Sequence, residues 1–122
     1  MSSVLIIDDD PLMYELYQLI FENAGFEVAV APNGPAGISL LAKGAKPDVI
    51  LLDIMMPKMS GLEVLAKLAE LPARPPVIAL SNLLDESTER QAKEAGAIRY
   101  VVKSQIAGKE LVTIAKECIS VA

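Results

Sequence analysis

The chain contains no histidine. An imidazole nucleophile, base or metal ligand is therefore excluded from it. It has one cysteine, so no internal disulfide can form, and a reducing cytoplasm is the expected setting. It has no apolar run near membrane-spanning length, which takes about 20 residues. The first apolar run, Val4-Leu5-Ile6-Ile7, is too short for a signal peptide, and three acids follow it. There is no low-complexity tract, internal repeat or linker. There is also no basic cluster: 11 Lys and Arg stand against 16 Asp and Glu, a net charge of -5. Duplex DNA is not expected as a direct partner, and neither is a membrane.

What is present suffices for one domain over residues 1–122. The chain is 52% hydrophobic, and a chain of this size buries roughly two-thirds of its unfolded surface on folding.

The stretch from Asp48 to Pro57 organises the rest. Val49-Ile50-Leu51-Leu52 is apolar without alternation, as in a strand covered on both faces of a parallel sheet. Asp53 follows directly, where strand gives way to loop. Ligands of open α/β sheets bind at that edge. A carboxylate there is a nucleophile, a metal ligand or a helix cap. Ser60 lies closer to the next helix start and competes for the capping role, which favours chemistry at Asp53.

Further strands are expected at residues 4–7, 27–31, 77–80 and 98–102. Asp10-Pro11 opens a first helix, with Asp10 as cap and Pro11 in the first turn. Met13, Leu16, Tyr17, Ile20 and Ala24 recur along it at helical spacing, and Gly25 ends it. Asn33-Gly34-Pro35 turns into a weaker helix carrying Ile38 and Leu41. A third helix is expected over residues 61–71, burying Leu62, Leu65 and Ala69 and ending before Pro72. A fourth, over residues 85–95, has a thin apolar face of Leu84, Ala92 and Ala95. A fifth, over residues 109–119, carries Leu111, Ile114, Ala115 and Cys118. Cys118 thus reads as core. Strand and helix alternate five times, the pattern of a doubly wound parallel sheet.

Four of the five strands end in a distinctive polar group: Asp8-Asp9, Asp53, Ser81 and Lys103. A parallel sheet puts these ends on one rim. Three carboxylates so close repel one another. A hard divalent cation relieves this, and oxygen ligands with phosphate chemistry favour Mg²⁺. With a cation, Lys103 and the Ser81 hydroxyl to neutralise phosphoryl oxygens, Asp53 can act as nucleophile and form an acyl phosphate.

These residues resemble the receiver domains of two-component response regulators, including the single-domain chemotaxis-regulator type. The matching pieces are Ile6-Ile7-Asp8-Asp9-Asp10-Pro11, Leu51-Leu52-Asp53-Ile54-Met55-Met56-Pro57, Ser60-Gly61, Ser81, Gly96-Ala97 and Tyr100-Val101-Val102-Lys103. The resemblance implies a flavodoxin-like fold with strand order 2-1-3-4-5. It implies that a histidine kinase or histidine phosphotransfer protein phosphorylates Asp53. It implies Mg²⁺, with Mn²⁺ as a substitute, held by Asp9, Asp53 and the Met55 carbonyl, with Asp8 acting through water. Ser81 and Tyr100 would be the switch pair, altering the face of helix 4, strand 5 and helix 5 for a downstream protein or output domain. Activity would be limited to self-catalysed phosphoryl transfer and slow self-dephosphorylation. No output domain is expected within these residues, and a stand-alone receiver and a piece of a longer regulator both fit.

Four positions that depart from the family pattern carry expectations. Met55 and Leu83 are apolar where more polar residues are usual, and Asn82 stands where alanine or glycine is usual. Met55 and Leu83 would shield the phosphoryl group from water and make phospho-Asp53 long-lived, and Asn82 would narrow the entry for small phosphodonors. Ser104 replaces the proline that usually follows the active-site lysine in a cis linkage. A non-proline cis bond costs roughly 2.5–4 kcal/mol, so Lys103-Ser104 is expected to be trans, with Lys103 still reaching Asp53 and Ser104 free to cap the last helix.

Two other readings use the same residues. Asp8-x-Asp10 resembles the paired aspartates of haloacid-dehalogenase-type phosphatases, with Asp8 as nucleophile, although Pro11 makes Asp10 look like a cap. A phosphorylation-independent interaction module is the other, against which stand the five intact polar groups. A flavin-binding flavodoxin is excluded, because Asp8-Asp9-Asp10 would repel a flavin phosphate.

Overall fold

The computed structural model describes residues 1–71, 74–82 and 85–121. The strands are β1 (Ser3–Ile7), β2 (Glu27–Ala31), β3 (Val49–Asp53), β4 (Val77–Ser81) and β5 (Arg99–Val102). They alternate with α1 (Pro11–Asn23), α2 (Gly34–Ala42), α3 (Gly61–Leu68), α4 (Glu86–Glu94) and α5 (Gly108–Val121). A 3₁₀ turn, Lys103–Gln105, joins β5 to α5. All strand pairs are parallel, in the order β2-β1-β3-β4-β5. This is the flavodoxin-like arrangement.

Every residue of β3 and β4 is buried, because helices cover both sheet faces. Strand residues alternate between two cores. Leu5, Ile7, Ile50, Leu52, Val77 and Ala79 pack toward α2, α3 and α4. Val4, Ile6, Val49, Leu51, Ile78 and Leu80 pack toward α1 and α5, where Cys118 is also buried. Met13 packs against that second core.

The helix starts follow local chemistry. Asp10 Oδ1 accepts the Leu12 N–H at 3.0 Å, with Pro11 in the first turn. Asn33 Oδ1 accepts the Ala36 N–H at 2.8 Å. Ser60 and Glu63 form a reciprocal capping box on α3. Gly25 and Gly96, with φ of +90° and +119°, turn the chain out of α1 and α4 in a conformation other residues rarely adopt.

Three expectations are corrected. α3 stops at Leu68 rather than residue 71, before Pro72, which lies outside the described residues. Its buried face is Gly61, Val64, Leu65 and Leu68, while Leu62 is half-buried and Ala69 exposed. Residues at i, i+3, i+4 and i+7 lie on one helical face, and this face can approach β3 closely only through Gly61. A Cβ on Gly61 would stand 2.6 Å from the Asp53 carbonyl oxygen and the Ile54 Cα. Third, Ser104 does not cap α5. It belongs to the 3₁₀ turn, and the Ala107 N–H at the helix start donates to Glu110 Oε1 at 3.2 Å instead. On α4 only Ala92 is buried, whereas Leu84 lies outside the described residues. No helix among the described residues is long and apolar enough to cross a membrane.

Candidate functional site

Strand register assembles the site. Ile7 pairs with Leu52, so Asp8 leaves β1 alongside Asp53. Asp53 pairs with Leu80, so Ser81 lies one residue further along the rim. Ser81 pairs with Val102, so Lys103 emerges next to it. Residues up to 95 positions apart in sequence thereby meet at one edge.

Lys103 Nζ lies 3.0 Å from Asp8 Oδ2 and 3.6 Å from Asp53 Oδ1. Asp8 Oδ1 accepts the Asp10 N–H at 3.0 Å, and Asp53 Oδ1 accepts the Met55 N–H at 3.1 Å. These bonds fix both carboxylates. Asp8 is 1% exposed and Asp53 5%, and Ser81 is fully buried, whereas Asp9 faces solvent. The cleft above them has a volume of about 460 Å³ and is lined by Asp9, Asp10, Met13, Asp53, Met55, Asn82 and Lys103.

Burial pushes the Asp53 carboxyl up from 3.8 to about 6. The Lys103 ammonium opposes that rise, Asp8 adds to it, the Met55 amide lowers it and Asp9 raises it slightly. Asp53 is thus a carboxylate held close to its charging threshold, with lone pairs open to the cleft.

Asp8, Asp9 and Asp53 each offer an oxygen, and the three oxygens lie within 4.8 Å of one another. Three hard donors with one nearby ammonium leave unbalanced negative charge when all are ionised. The donor set therefore fits a hard divalent cation such as Mg²⁺.

The structure brings Asp8, Asp9, Asp53 and Lys103 together as expected, with Ser81 adjoining and with Met55 and Asn82 on the cleft wall. Tyr100 is half-buried on β5, beside Ala79, and packs toward the α2–α3–α4 core. Leu83 lies outside the described residues. Lys103-Ser104 is trans, since no described peptide bond is cis, and the ammonium reaches both carboxylates. Tyr17 was missed as a neighbour of the site. Burial, then Asp8 and Asp53, hold its phenol well above the usual range. Its spacing four residues after Met13 was the available signal. That spacing reads equally as core, where Tyr17 does pack.

The family model for the response regulator receiver domain matches residues 4–116. A transcriptional regulatory protein of Mycobacterium tuberculosis, KdpE, is 40% identical over 103 residues, covering 84% of this chain and 45% of its own length. An uncharacterized 14.6 kDa protein of Leptolyngbya boryana is 34% identical over 102 residues, covering 82% of this chain and 77% of the relative. The receiver domain of a Francisella response regulator superposes with a TM-score of 0.90 at 28% identity, covering 98% of both chains. A CheY-like receiver protein from Methanospirillum hungatei does so with a TM-score of 0.90 at 26% identity, covering 98% of this chain and 94% of that one. The chain spans only 22%, 51% and 45% of the length of three curated regulators it matches.

Proposed function

The chain belongs to the response regulator receiver domain family, and from that premise we propose that it is the phosphoacceptor of a histidine-to-aspartate phosphorelay. The phosphoryl group goes to Asp53. The observation that carries this reading is the placement of Asp53 itself: a 5% exposed carboxylate at the end of the central strand, within 3.6 Å of Lys103 and beside Asp8 and Asp9.

The chain's own groups supply positioning and charge. The Met55 N–H holds one Asp53 oxygen, leaving the other to attack phosphorus. The phosphorus–nitrogen bond of a phosphohistidine breaks as the phosphorus–oxygen bond to Asp53 forms, and the donor imidazole leaves. Lys103 neutralises developing charge on the phosphoryl oxygens, and the Ser81 hydroxyl donates to one of them. Asp9, Asp53 and the Met55 carbonyl would hold Mg²⁺ or Mn²⁺, with Asp8 acting through water. The bound ion would supply further charge neutralisation at the phosphoryl group.

Transfer to Asp53 and slow hydrolysis are the whole of the activity. The donor is a histidine kinase or a histidine phosphotransfer protein. The output is a change at α4, β5 and α5, relayed by Ser81 and Tyr100 to a downstream protein or output domain. The net charge of -5 argues against direct nucleic-acid contact, and the cytoplasm is the setting for such a relay. The phosphatase reading loses support at Asp10, whose carboxylate is engaged as the α1 cap.

The test is incubation with acetyl phosphate and Mg²⁺, followed by intact-mass and peptide mapping. One phosphoryl group on Asp53, lost in Asp53→Asn and on chelation, is expected. Label on Asp8 would move the protein to the phosphatase reading.

A further inference from the structure

Peroxide attacks sulfur, and the chain carries five methionines and one cysteine. The cysteine is withdrawn from this chemistry. Cys118 is 2% exposed, and burial raises its thiol above the usual range, whereas oxidation runs through an accessible thiolate. The methionines sort by exposure. Met56 is 7% exposed and packs in the core with Leu52 and Val64. Met13 and Met59 are half-buried, one against each core. Only Met1 and Met55 present exposed thioethers, at 90% and 54%. Met1 precedes β1, at the sheet edge opposite the strand ends that form the site.

Met55 shares the wall of the 460 Å³ cleft with Asp9, Asp53 and Lys103. Its own N–H donates to Asp53 Oδ1 at 3.1 Å. The backbone that carries this thioether is therefore tied to the carboxylate it shields. The cleft has room for water and for hydrogen peroxide, which is little larger. Hydrogen peroxide is also neutral, so the acids of the cleft do not repel it as they would an anionic oxidant.

We infer that Met55 is a peroxide-modification site and that its sulfoxide shortens the lifetime of phospho-Asp53. The effect on lifetime rests on Asp53 being the phosphoacceptor. The thioether sulfur attacks one oxygen of the peroxide. The sulfur–oxygen bond forms as the oxygen–oxygen bond breaks, the transferred oxygen gives its proton to the departing hydroxide, and water leaves. Sulfur loses an electron pair to the peroxide, which is the reduced partner. The product puts a strong, uncharged hydrogen-bond acceptor where the thioether was apolar. Water in the cleft donates one hydrogen to the sulfoxide oxygen, which holds its own oxygen toward phosphorus. The new phosphorus–oxygen bond forms as the bond to Asp53 breaks. The Asp53 carboxylate leaves, the attacking water loses its proton to solvent, and inorganic phosphate is released. The sulfoxide orients the water and takes no proton. Reduction of both sulfoxide epimers restores the apolar shield.

Hydrogen peroxide treatment of the 122-residue chain, followed by peptide mapping, tests the modification without any phosphorylation. Met55 should gain one oxygen well before Met13, Met56 and Met59, with Met1 as the exposed reference. Treated and untreated chains are then labelled on Asp53 with acetyl phosphate and Mg²⁺, the donor is removed, and phosphate release is followed. Oxidation should shorten the half-life severalfold, and methionine sulfoxide reductases of both stereospecificities should restore it. Met55→Leu should make the half-life indifferent to peroxide, which sets aside the other thioethers. Met55→Gln, which carries an uncharged acceptor on a chain of similar length, should release phosphate fast with or without peroxide. The proposal is overturned if Met55 oxidises no faster than buried Met56, if oxidation leaves the half-life unchanged or longer, or if the peroxide response persists in Met55→Leu. An untreated chain that takes no label on Asp53 would remove the phosphoacceptor reading, and the effect on lifetime with it, while the peptide map would still decide the modification site.

Discussion

Lys103 sits closer to Asp8, at 3.0 Å, than to Asp53, at 3.6 Å, and its side chain is almost fully enclosed. One ammonium therefore serves two buried carboxylates, and its removal strands both. Lys103→Met should destabilise the cation-free protein at pH 7 by about 1–3 kcal/mol, the cost of leaving buried charged groups unpaired. Denaturant melts at pH 7 and pH 5 check this. The deficit should shrink at pH 5, where Asp53 takes up a proton.

Asp53 itself makes stability fall as pH rises. Its folded value, about 6, lies above the ordinary 3.8. Between those values the folded state binds more protons than the unfolded state, so stability declines with pH across that window. The size of the loss is on the order of 2–3 kcal/mol. Asp53→Asn should therefore raise the melting temperature at pH 7 without divalent cations and flatten its pH dependence between pH 4 and pH 7. A variant less stable than the parent at pH 7 would contradict the electrostatic account.

Divalent cations should act in the opposite sense. An ion that binds only the assembled Asp8–Asp9–Asp53 cluster stabilises the fold by mass action, about 1.4 kcal/mol at tenfold over its dissociation constant. Calorimetry with Mg²⁺ and with chelator measures the difference. It should fade below pH 6 as Asp53 protonates, and Asp53→Asn should lose most of it. Identical melting temperatures would count against a cation site.

Met55 is 54% exposed and shares the cleft wall with Asp53. A thioether cannot orient an attacking water, so phospho-Asp53 is expected to be long-lived. Met55→Asn, alone or with Leu83→Glu, should speed loss of the phosphoryl group severalfold in a phosphate-release assay. Unchanged or slower hydrolysis would remove the shielding role.

α4 has one buried side chain, Ala92, so its local opening costs little. On phosphorylation, amide exchange should change most around α4 and β5. Changes centred on α2 would place the output face elsewhere.

Local physics explains what was legible in the sequence. The unbroken apolar run before Asp53 specified a strand covered on both faces, and β3 is buried throughout. Asp10 and Asn33 marked helix starts because a short acceptor side chain beside a proline or glycine has few other local uses. The polar strand ends pointed to one rim because parallel strands present their ends on the same side. The order of the strands came from family resemblance, since apolar periodicity is indifferent to which neighbour a strand chooses. The tertiary structure decided the rest. It set the register that lays Asp8 beside Asp53, chose the Val64 and Leu68 face of α3, and brought Tyr17 within the field of the acids. It also parked Lys103 nearer Asp8 than Asp53. Each of these depends on groups distant in the chain. A helix face is determined by where the sheet lies, and the end of a flexible lysine by the summed field of carboxylates that only folding brings together.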